Sequence, residues 1–229
     1  MPESVITLLN KKDIAKNLIQ LRFSRPSVFS FKAGQFVQFI IPEVDKAVLR
    51  SYSISSSPQD EYLEFCVKLL DGGLASAHFK TMKLGESVGI KDPRGIFLIS
   101  QENTASYFVA TGAGLAPIMS MIRDELEHKK NSREIKLLFG VRSEADLFWE
   151  DRLKKLAKTH QHFVYDITLS APEHEKEWIG LRGRVNEHIS PSDLKYHFYL
   201  CGSADMVRDL RALLIERSIG TENIHFEIF

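Results

Sequence analysis

Cysteine is nearly absent: 229 residues include only Cys66 and Cys201. A cluster held by four thiolates of this chain is therefore excluded, and so sparse a set of thiols fits a reducing compartment rather than a disulfide scaffold. Long apolar runs are also missing. Nothing approaches the roughly 20 residues needed to cross a bilayer, and Met1 to Asn10 lacks the basic start and apolar stretch of an export signal. The expectation is a cytoplasmic chain. Charge of one sign is not in excess, since 30 basic residues balance 30 acidic ones. Without a basic stripe or arm there is no field to displace counterions, which sets nucleic-acid binding aside. Metal-ligand clusters are lacking too. His160 and His162 share one face of a strand but have no third ligand near them in sequence, so no metal is expected. What remains is ordinary globular composition, 44% apolar and 26% charged, long enough for one large core or two modest ones.

The pattern along the chain favours two. From Lys16 to about Ile99, short strands are broken by turns: Leu18 to Phe23, Phe36 to Ile41, Ser51 to Ser55, Tyr62 to Leu70 and Ser87 to Ile90. Gly34, Pro42, Pro58, Gly72, Gly73, Gly85 and Pro93 supply the punctuation. Such spacing predicts an antiparallel β-barrel. After the polar stretch Ser100 to Thr104, strands alternate with longer helical segments. Tyr107 to Thr111 leads into a helix from about Pro117, with Ile118, Ile122 and Leu126 recurring every four positions. Glu134 to Gly140, a helix near Asp146 to Lys158, Phe163 to Leu169, His197 to Cys201, a helix from Ala204 to Arg217 and Ile224 to Ile228 follow. Repeated strand–helix units imply a doubly wound parallel α/β sheet. The predicted units are residues 1–99 and 104–229.

Four segments ask for more than packing. Arg50, Ser51, Tyr52 and Ser53 form a strand that presents a phosphate-pairing guanidinium, a ring able to stack, and hydroxyls. Asp71 to Ser76, with Gly72, Gly73, Leu74, Ala75 and Ser76, is a glycine turn opening a short helix, where backbone N–H groups suit phosphate oxygens. Thr111, Gly112, Ala113, Gly114, Leu115, Ala116 and Pro117 lie at the carboxyl end of a strand, and their small side chains let a pyrophosphate approach the backbone. Cys201, Gly202, Ser203, Ala204, Asp205 and Met206 lie at a second strand end. Open α/β sheets bind ligands at such ends, so both loops should border one crevice. Taken singly, each has a plainer reading: a barrel strand with an exposed Arg, a hairpin turn, or an ordinary strand-to-helix loop. The charged stretches Glu125 to Lys130 and Lys154 to Lys158 read as solvated helix surface. Cys66, between Phe65 and Val67, reads as a small core residue.

In this order and spacing the four segments resemble the ferredoxin–NADP reductase family of flavoproteins, over nearly the whole chain from about Gly34 to Phe229. The resemblance implies FAD along the Arg50–Ser53 strand, with Arg50 on the pyrophosphate, Ser51 beside it, Tyr52 on the isoalloxazine face and Ser53 near N5. It puts Gly72, Gly73, Leu74, Ala75 and Ser76 on the other side of the FAD phosphates. Thr111, Gly112 and Gly114 would cradle the pyrophosphate of NADH or NADPH, with Cys201, Gly202 and Met206 toward the nicotinamide. Pro93, Arg94, Gly95 and Phe97 look like the family's loop between domains. The terminal His225, Phe226, Glu227, Ile228, Phe229 resembles the family's last strand, with its acidic residue two places before a final aromatic. Catalytic roles would fall to Ser53, Cys201, Glu227 and Phe229. Ala113 and Ser203 depart from the family pattern, where a glycine and a proline are usual; both keep the backbone accessible.

The implied activity is hydride transfer from nicotinamide C4 to flavin N5, then delivery of electrons to a separate acceptor, ferredoxin or flavodoxin first, free flavin or a quinone-like small molecule otherwise. No iron–sulfur domain of the kind fused to oxygenase reductases is expected. The rival is a non-catalytic flavin- or nucleotide-binding module that regulates a partner, which would not need Cys201, Glu227 and a ring-stacking Tyr52 together. For the donor, Arg142 and Arg184 are placed to clamp a 2′-phosphate. However, Ser170 is followed by Ala171 rather than Arg, and Glu173, Glu175 and Glu177 would repel a phosphate, so NADH is expected. On the last strand, alternation puts Ile224, Phe226 and Ile228 toward the core and Glu227 with Phe229 on the opposite face.

Overall fold

The computed structural model describes residues 3–43, 46–100, 102, 104–130, 132–171 and 177–229. The N-terminal half is an antiparallel sheet of β1 (Ser4–Ala15), β2 (Leu18–Ser24), β3 (Phe36–Glu43), β4 (Lys46–Ser53), β5 (Tyr62–Lys68) and β6 (Ser87–Ile90), in the spatial order β4-β3-β6-β1-β2-β5. A bridge between Ile54 and Phe65 brings the two ends of that order together and closes the barrel. Its interior is aromatic: the Phe39 ring meets Phe65 and Phe79 edge-on with centroids 4.9 and 5.0 Å apart, a geometry worth about 0.5–1.5 kcal/mol per pair beyond burial.

The longest strand, β1, has no counterpart in the sequence reading. Its polar run Asn10, Lys11, Lys12, Asp13 hides the period, because only Ile6 and Leu8 turn into the core. A register shift between Leu8 and Asn10 lets the strand bend from β6 onto β2. Lys11 then reaches α1 (Leu74–Thr81), where its ammonium donates to the carbonyl oxygens of Phe79, Lys80 and Met82 at 3.2, 2.9 and 2.7 Å. A cation at that end satisfies unpaired carbonyls and opposes the helix dipole.

The C-terminal half is a parallel sheet in the order β10-β9-β8-β7-β11-β12. Its elements are β7 (Ser106–Thr111), α2 (Leu115–Arg123), β8 (Ile135–Val141), α3 (Glu150–Thr159), β9 (Phe163–Leu169), β10 (Leu181–Arg182), β11 (His197–Gly202), α4 (Ala204–Glu216) and β12 (Ile224–Ile228). The chain runs outward from β7 on one side and returns through β11 and β12 on the other. The topological switch therefore lies between β7 and β11, where such sheets open a crevice at their carboxyl ends.

Two readings need correction. The start of the stretch after α2 is not solvated surface: Asp124 and Glu125 lie in a π-helical turn with side chains 8% and 1% exposed, while Glu127 to Lys130 are exposed as expected. Lys129 and Arg133 pair with them, at 2.8 Å from Lys129 to each and 2.5 Å from Arg133 to Glu125. Paired charges tolerate burial that lone ones do not. On β12, Ile224 is buried but Phe226 is 44% and Ile228 49% exposed. Pairing only with β11, this strand has one open edge, and alternation there does not sort core from solvent. Among the described residues no His, Cys, Asp and Glu group is arranged to hold a metal, and no helix is long and apolar enough to cross a membrane.

Candidate active site

A crevice with a volume of about 1090 Å³ runs between the barrel and the carboxyl ends of the parallel strands. Arg50, Ser51, Tyr52 and Ser53 line it from the barrel side; Thr111, Gly112, Gly114, Arg142, Arg184, Gly202, Met206 and Phe229 line it from the sheet side. Segments read separately in the sequence thus meet at one place. Tyr52 is held by edge contacts to Phe39 at 5.6 Å and Phe79 at 5.5 Å, and burial raises its phenol pKa, so the ring stays neutral.

Ser53 and Glu227 join the two halves. The Ser53 hydroxyl donates to Glu227 Oε1 at 3.0 Å across 174 residues of sequence. Burial holds the Glu227 carboxyl above its ordinary pKa, an effect the Ser53 hydrogen bond partly offsets. Glu227 is the register partner of Cys201 on the neighbouring strand. The Cys201 side chain is fully buried in the core of the α/β half and forms no part of the crevice wall. Burial first, and the Glu227 charge second, push its thiol pKa up, so it is a neutral, weakly polar neighbour rather than a thiolate. A raised carboxyl pKa means that the folded protein loses stability as pH rises from the unfolded pKa through the folded one. Glu227→Gln is therefore expected to match the native protein in acid and exceed it at neutral pH. Urea unfolding between about pH 4 and about pH 8 checks this; a stability difference that does not grow with pH would contradict it.

The glycine loops at the strand ends keep their backbone accessible. Space above Gly112 is open, while a β-carbon on Gly114 would lie 2.2 Å from the Cys201 carbonyl oxygen. At Gly202 the backbone has φ +150°, and a β-carbon would lie 2.1 Å from Thr111 Oγ1. The two loops thus interlock, and Thr111 Oγ1 accepts from the Ser203 amide at 3.2 Å. On the barrel side the first turn of α1 has no side-chain cap, which leaves its leading N–H groups to an outside acceptor. Gly72, Gly73, Leu74, Ala75 and Ser76 stand beyond the crevice wall rather than in it; Leu70 is the nearest lining residue, its amide donating to Ser76 Oγ at 2.8 Å. Gly95, in the loop with Pro93, Arg94 and Phe97, packs on Phe36 and approaches Glu227, and the loop is stitched to β3 by paired Phe36–Arg94 backbone bonds of 2.8 and 2.9 Å.

Sequence reasoning missed several wall residues, among them Lys16, Lys68, Phe148, Asn186 and Asp209. Those on the sheet side follow from one rule, that loops after parallel strands border the ligand; those on β1 and β5 carry no local signal. Phe229 is 53% exposed and lines the crevice with Tyr52, and its amide donates to the Gly202 carbonyl at 3.1 Å. Stacked rings are worth about 1 kcal/mol. If Phe229 occupies the place of the nicotinamide, Phe229→Ala is expected to retain FAD, tighten nicotinamide binding up to about tenfold and perturb the flavin absorbance band. Unchanged affinity with an unchanged flavin spectrum would place the ring away from the flavin.

A barrel and a doubly wound sheet whose strand-end glycine loops face one crevice define a two-domain flavin-dependent nicotinamide oxidoreductase. Residues 5–99 match the oxidoreductase FAD-binding domain family and residues 108–212 the oxidoreductase NAD-binding domain family. Ferredoxin–NADP reductase B of Sorangium cellulosum is 32% identical over 91% of this chain and 90% of its own length. The phenol hydroxylase P5 protein of Acinetobacter pittii is 29% identical over 97% of this chain but 64% of its own length. The anthranilate 1,2-dioxygenase electron transfer component of Acinetobacter baylyi is 29% identical over 87% of this chain and 58% of its own. The chain thus spans less than two thirds of these two longer relatives. In structure, the Amycolatopsis cytochrome P450 reductase GcoB superposes with a TM-score of 0.86 at 26% identity, over 99% of this chain and 70% of that one. A ferredoxin NADP+ reductase of Neisseria gonorrhoeae with bound FAD and NADP shares the fold, with a TM-score of 0.85 at 24% identity over 98% of each chain. The chain belongs to the ferredoxin–NADP reductase family, and it is an NAD(P)H-dependent flavoprotein reductase whose cofactor is FAD.

Proposed function

We propose that the protein takes reducing equivalents from NADH and passes them singly to a separate carrier protein, a ferredoxin or flavodoxin, in the cytoplasm. FAD supplies the chemistry, accepting two electrons as hydride and releasing them one at a time. The chain supplies orientation. In this reading residues 1–99 form the flavin unit and residues 104–229 the nicotinamide unit. Arg50 and the turn at Gly72 to Ser76 hold the FAD phosphates, with Ser51 beside Arg50. Tyr52 backs the isoalloxazine. Thr111, Gly112 and Gly114 hold the nicotinamide nucleotide's pyrophosphate, and Gly202 and Met206 border its ring. The observation that carries the reading is the 3.0 Å bond between Ser53 and Glu227, which sets a hydroxyl donor and a carboxylate where barrel and sheet meet. Cys201 lies behind them, buried in the core of the α/β half. A carrier protein is favoured by the full-length likeness to a ferredoxin–NADP reductase and by the electron-transfer components among the other relatives.

The preference for NADH rests on the loop after β9, where among the described residues the crevice is lined by Ser170 and Ala171, neither of them basic, and on Asp205 and Asp209 in the same wall. Glu177 is exposed and stands outside the wall, and Glu173 and Glu175 lie outside the described residues. Anaerobic mixing of the yellow protein with NADH or NADPH tests donor and activity together. The expected result is bleaching within the mixing time, with catalytic efficiency for NADH at least about tenfold higher. A flavin that stays oxidised with both donors overturns the reductase reading; a tenfold preference for NADPH would assign Arg142 and Arg184 as a 2′-phosphate clamp. A screen with ferredoxin, flavodoxin, free flavin and quinones then decides the acceptor.

A further inference from the structure

Strands β2 and β5 pair so that Leu18 faces Lys68, Gln20 faces Cys66 and Arg22 faces Glu64. Their alternates Ile19, Leu21, Phe23, Leu63, Phe65 and Val67 fill the barrel core. The first set therefore forms the outer face of the ribbon, and it is covered by the α/β half: Leu18 and Cys66 pack into that half's core, not the barrel's. The face is graded along its length. Leu18, Cys66 and Lys68 line the crevice, while Glu64, about 13 Å along β5 from Lys68, meets α3 through Arg152.

At that second end Glu64, with its side chain 1% exposed, accepts from Arg152 Nη1 at 2.7 Å and Nη2 at 3.1 Å, and from Arg22 Nη2 at 3.0 Å. Gln20 Oε1 accepts from Arg152 Nη2 at 2.9 Å and from Trp149 Nε1 at 2.9 Å. The Arg152 guanidinium also lies 4.7 Å from the centre of the Trp149 ring. Trp149 caps α3 with left-handed backbone angles, φ 58° and ψ 17°, a conformation that a residue with a β-carbon holds only where its surroundings impose it. The residue before it, Phe148, is crevice wall. Three residues earlier, the Ala145 carbonyl accepts the Lys16 amide at 3.1 Å, and Lys16 is crevice wall on the barrel side.

We infer that Gln20, Glu64, Trp149 and Arg152 are positioning residues that set the gap across which nicotinamide and flavin meet, an inference that rests on the reductase reading above. A bidentate carboxylate–guanidinium pair fixes distance and angle together, and its buried end is not free to re-solvate. Both walls of the crevice start from it, one along the β2–β5 ribbon and the other through Phe148. Hydride transfer needs its reacting atoms about 3–3.5 Å apart, and a misplacement of about 1 Å costs about 100-fold in rate.

The test uses the FAD-loaded protein, its Glu64→Gln and Arg152→Met variants, and the double variant, in which both charges of the pair are gone. Two quantities are read: the rate of flavin bleaching after anaerobic mixing with NADH, and amide hydrogen exchange at Lys16, which spans the crevice mouth, against Phe39 in the barrel core. All three variants are expected to bleach about 10–100-fold more slowly, with nicotinamide affinity within about threefold of the native protein. Exchange should quicken by about tenfold or more at Lys16 and not at Phe39. Bleaching at the native rate overturns the inference. Equal quickening at Lys16 and Phe39 also overturns it, since the cluster would then be ordinary support for the fold. If neither NADH nor NADPH bleaches the native protein, the reductase reading itself fails, and exchange at Lys16 still decides whether the cluster holds the crevice.

Discussion

Gly114→Ala is expected to slow reduction of the flavin by NADH at least about 100-fold, with the flavin itself retained. The added methyl would sit 2.2 Å from the Cys201 carbonyl oxygen, 2.5 Å from its carbon and 2.7 Å from the Gly202 nitrogen. These are backbone atoms of β11, every residue of which is buried and which is paired on one side with β7 and on the other with β12. None can swing aside as a side chain would. The loop must lift instead, carrying Thr111 and Gly112 with it, at a stability cost of about 1–3 kcal/mol typical of an overfilled core. Arg50 to Ser53 sit on the opposite wall and keep their geometry. Stopped-flow mixing with NADH, with chemical reduction by dithionite as control, separates a lost nucleotide site from a damaged flavin. Native rates with NADH would mean that this loop does not carry the nicotinamide nucleotide.

Arg50→Ala is expected to weaken FAD binding about 10–100-fold, the equivalent of one charge-assisted contact of about 1.5–3 kcal/mol. Arg50 is exposed on β4, at the end of the barrel's strand order, and its only bond among the described residues is 2.9 Å to the carbonyl of its neighbour Leu49. The guanidinium is thus spare, lines the crevice, and has the fork geometry to take two phosphate oxygens. Truncation disturbs no core contact, so a loss of flavin reports on binding rather than folding. Flavin fluorescence on dilution measures the dissociation constant, and full retention would move the pyrophosphate elsewhere.

The strands at Phe163–Leu169 and Ile224–Ile228 and three of the segments that line the crevice, at Arg50–Ser53, Thr111–Gly114 and Gly202–Met206, were legible because periodicity and glycine placement are local properties of a chain. What joins the halves was not. Gln20, Arg22, Glu64 and Cys66 alternate with core residues, and alternation names a second face without saying whether water or another domain covers it. Arg152 sits among charged neighbours on a helix and looks like its solvated companions until Glu64 is found beneath it. The same limit hid the burial of Asp124 and Glu125: Glu125's partner Arg133 stands beyond the helical turn, in the loop before β8. Glu227 was found through its place beside a final aromatic, whereas its hydroxyl partner Ser53 is visible only when the two halves close on each other.

That closure also governs how the molecule comes apart. Domains that share a chain usually move and melt separately. Here Glu64–Arg152, Asp60–Arg123, Ser56–Ser120, Lys16–Ala145 and Ser53–Glu227 all bridge barrel and sheet. Loosening either half would strand buried partners of the other, so a calorimeter should record one endotherm where the two-part architecture suggests two.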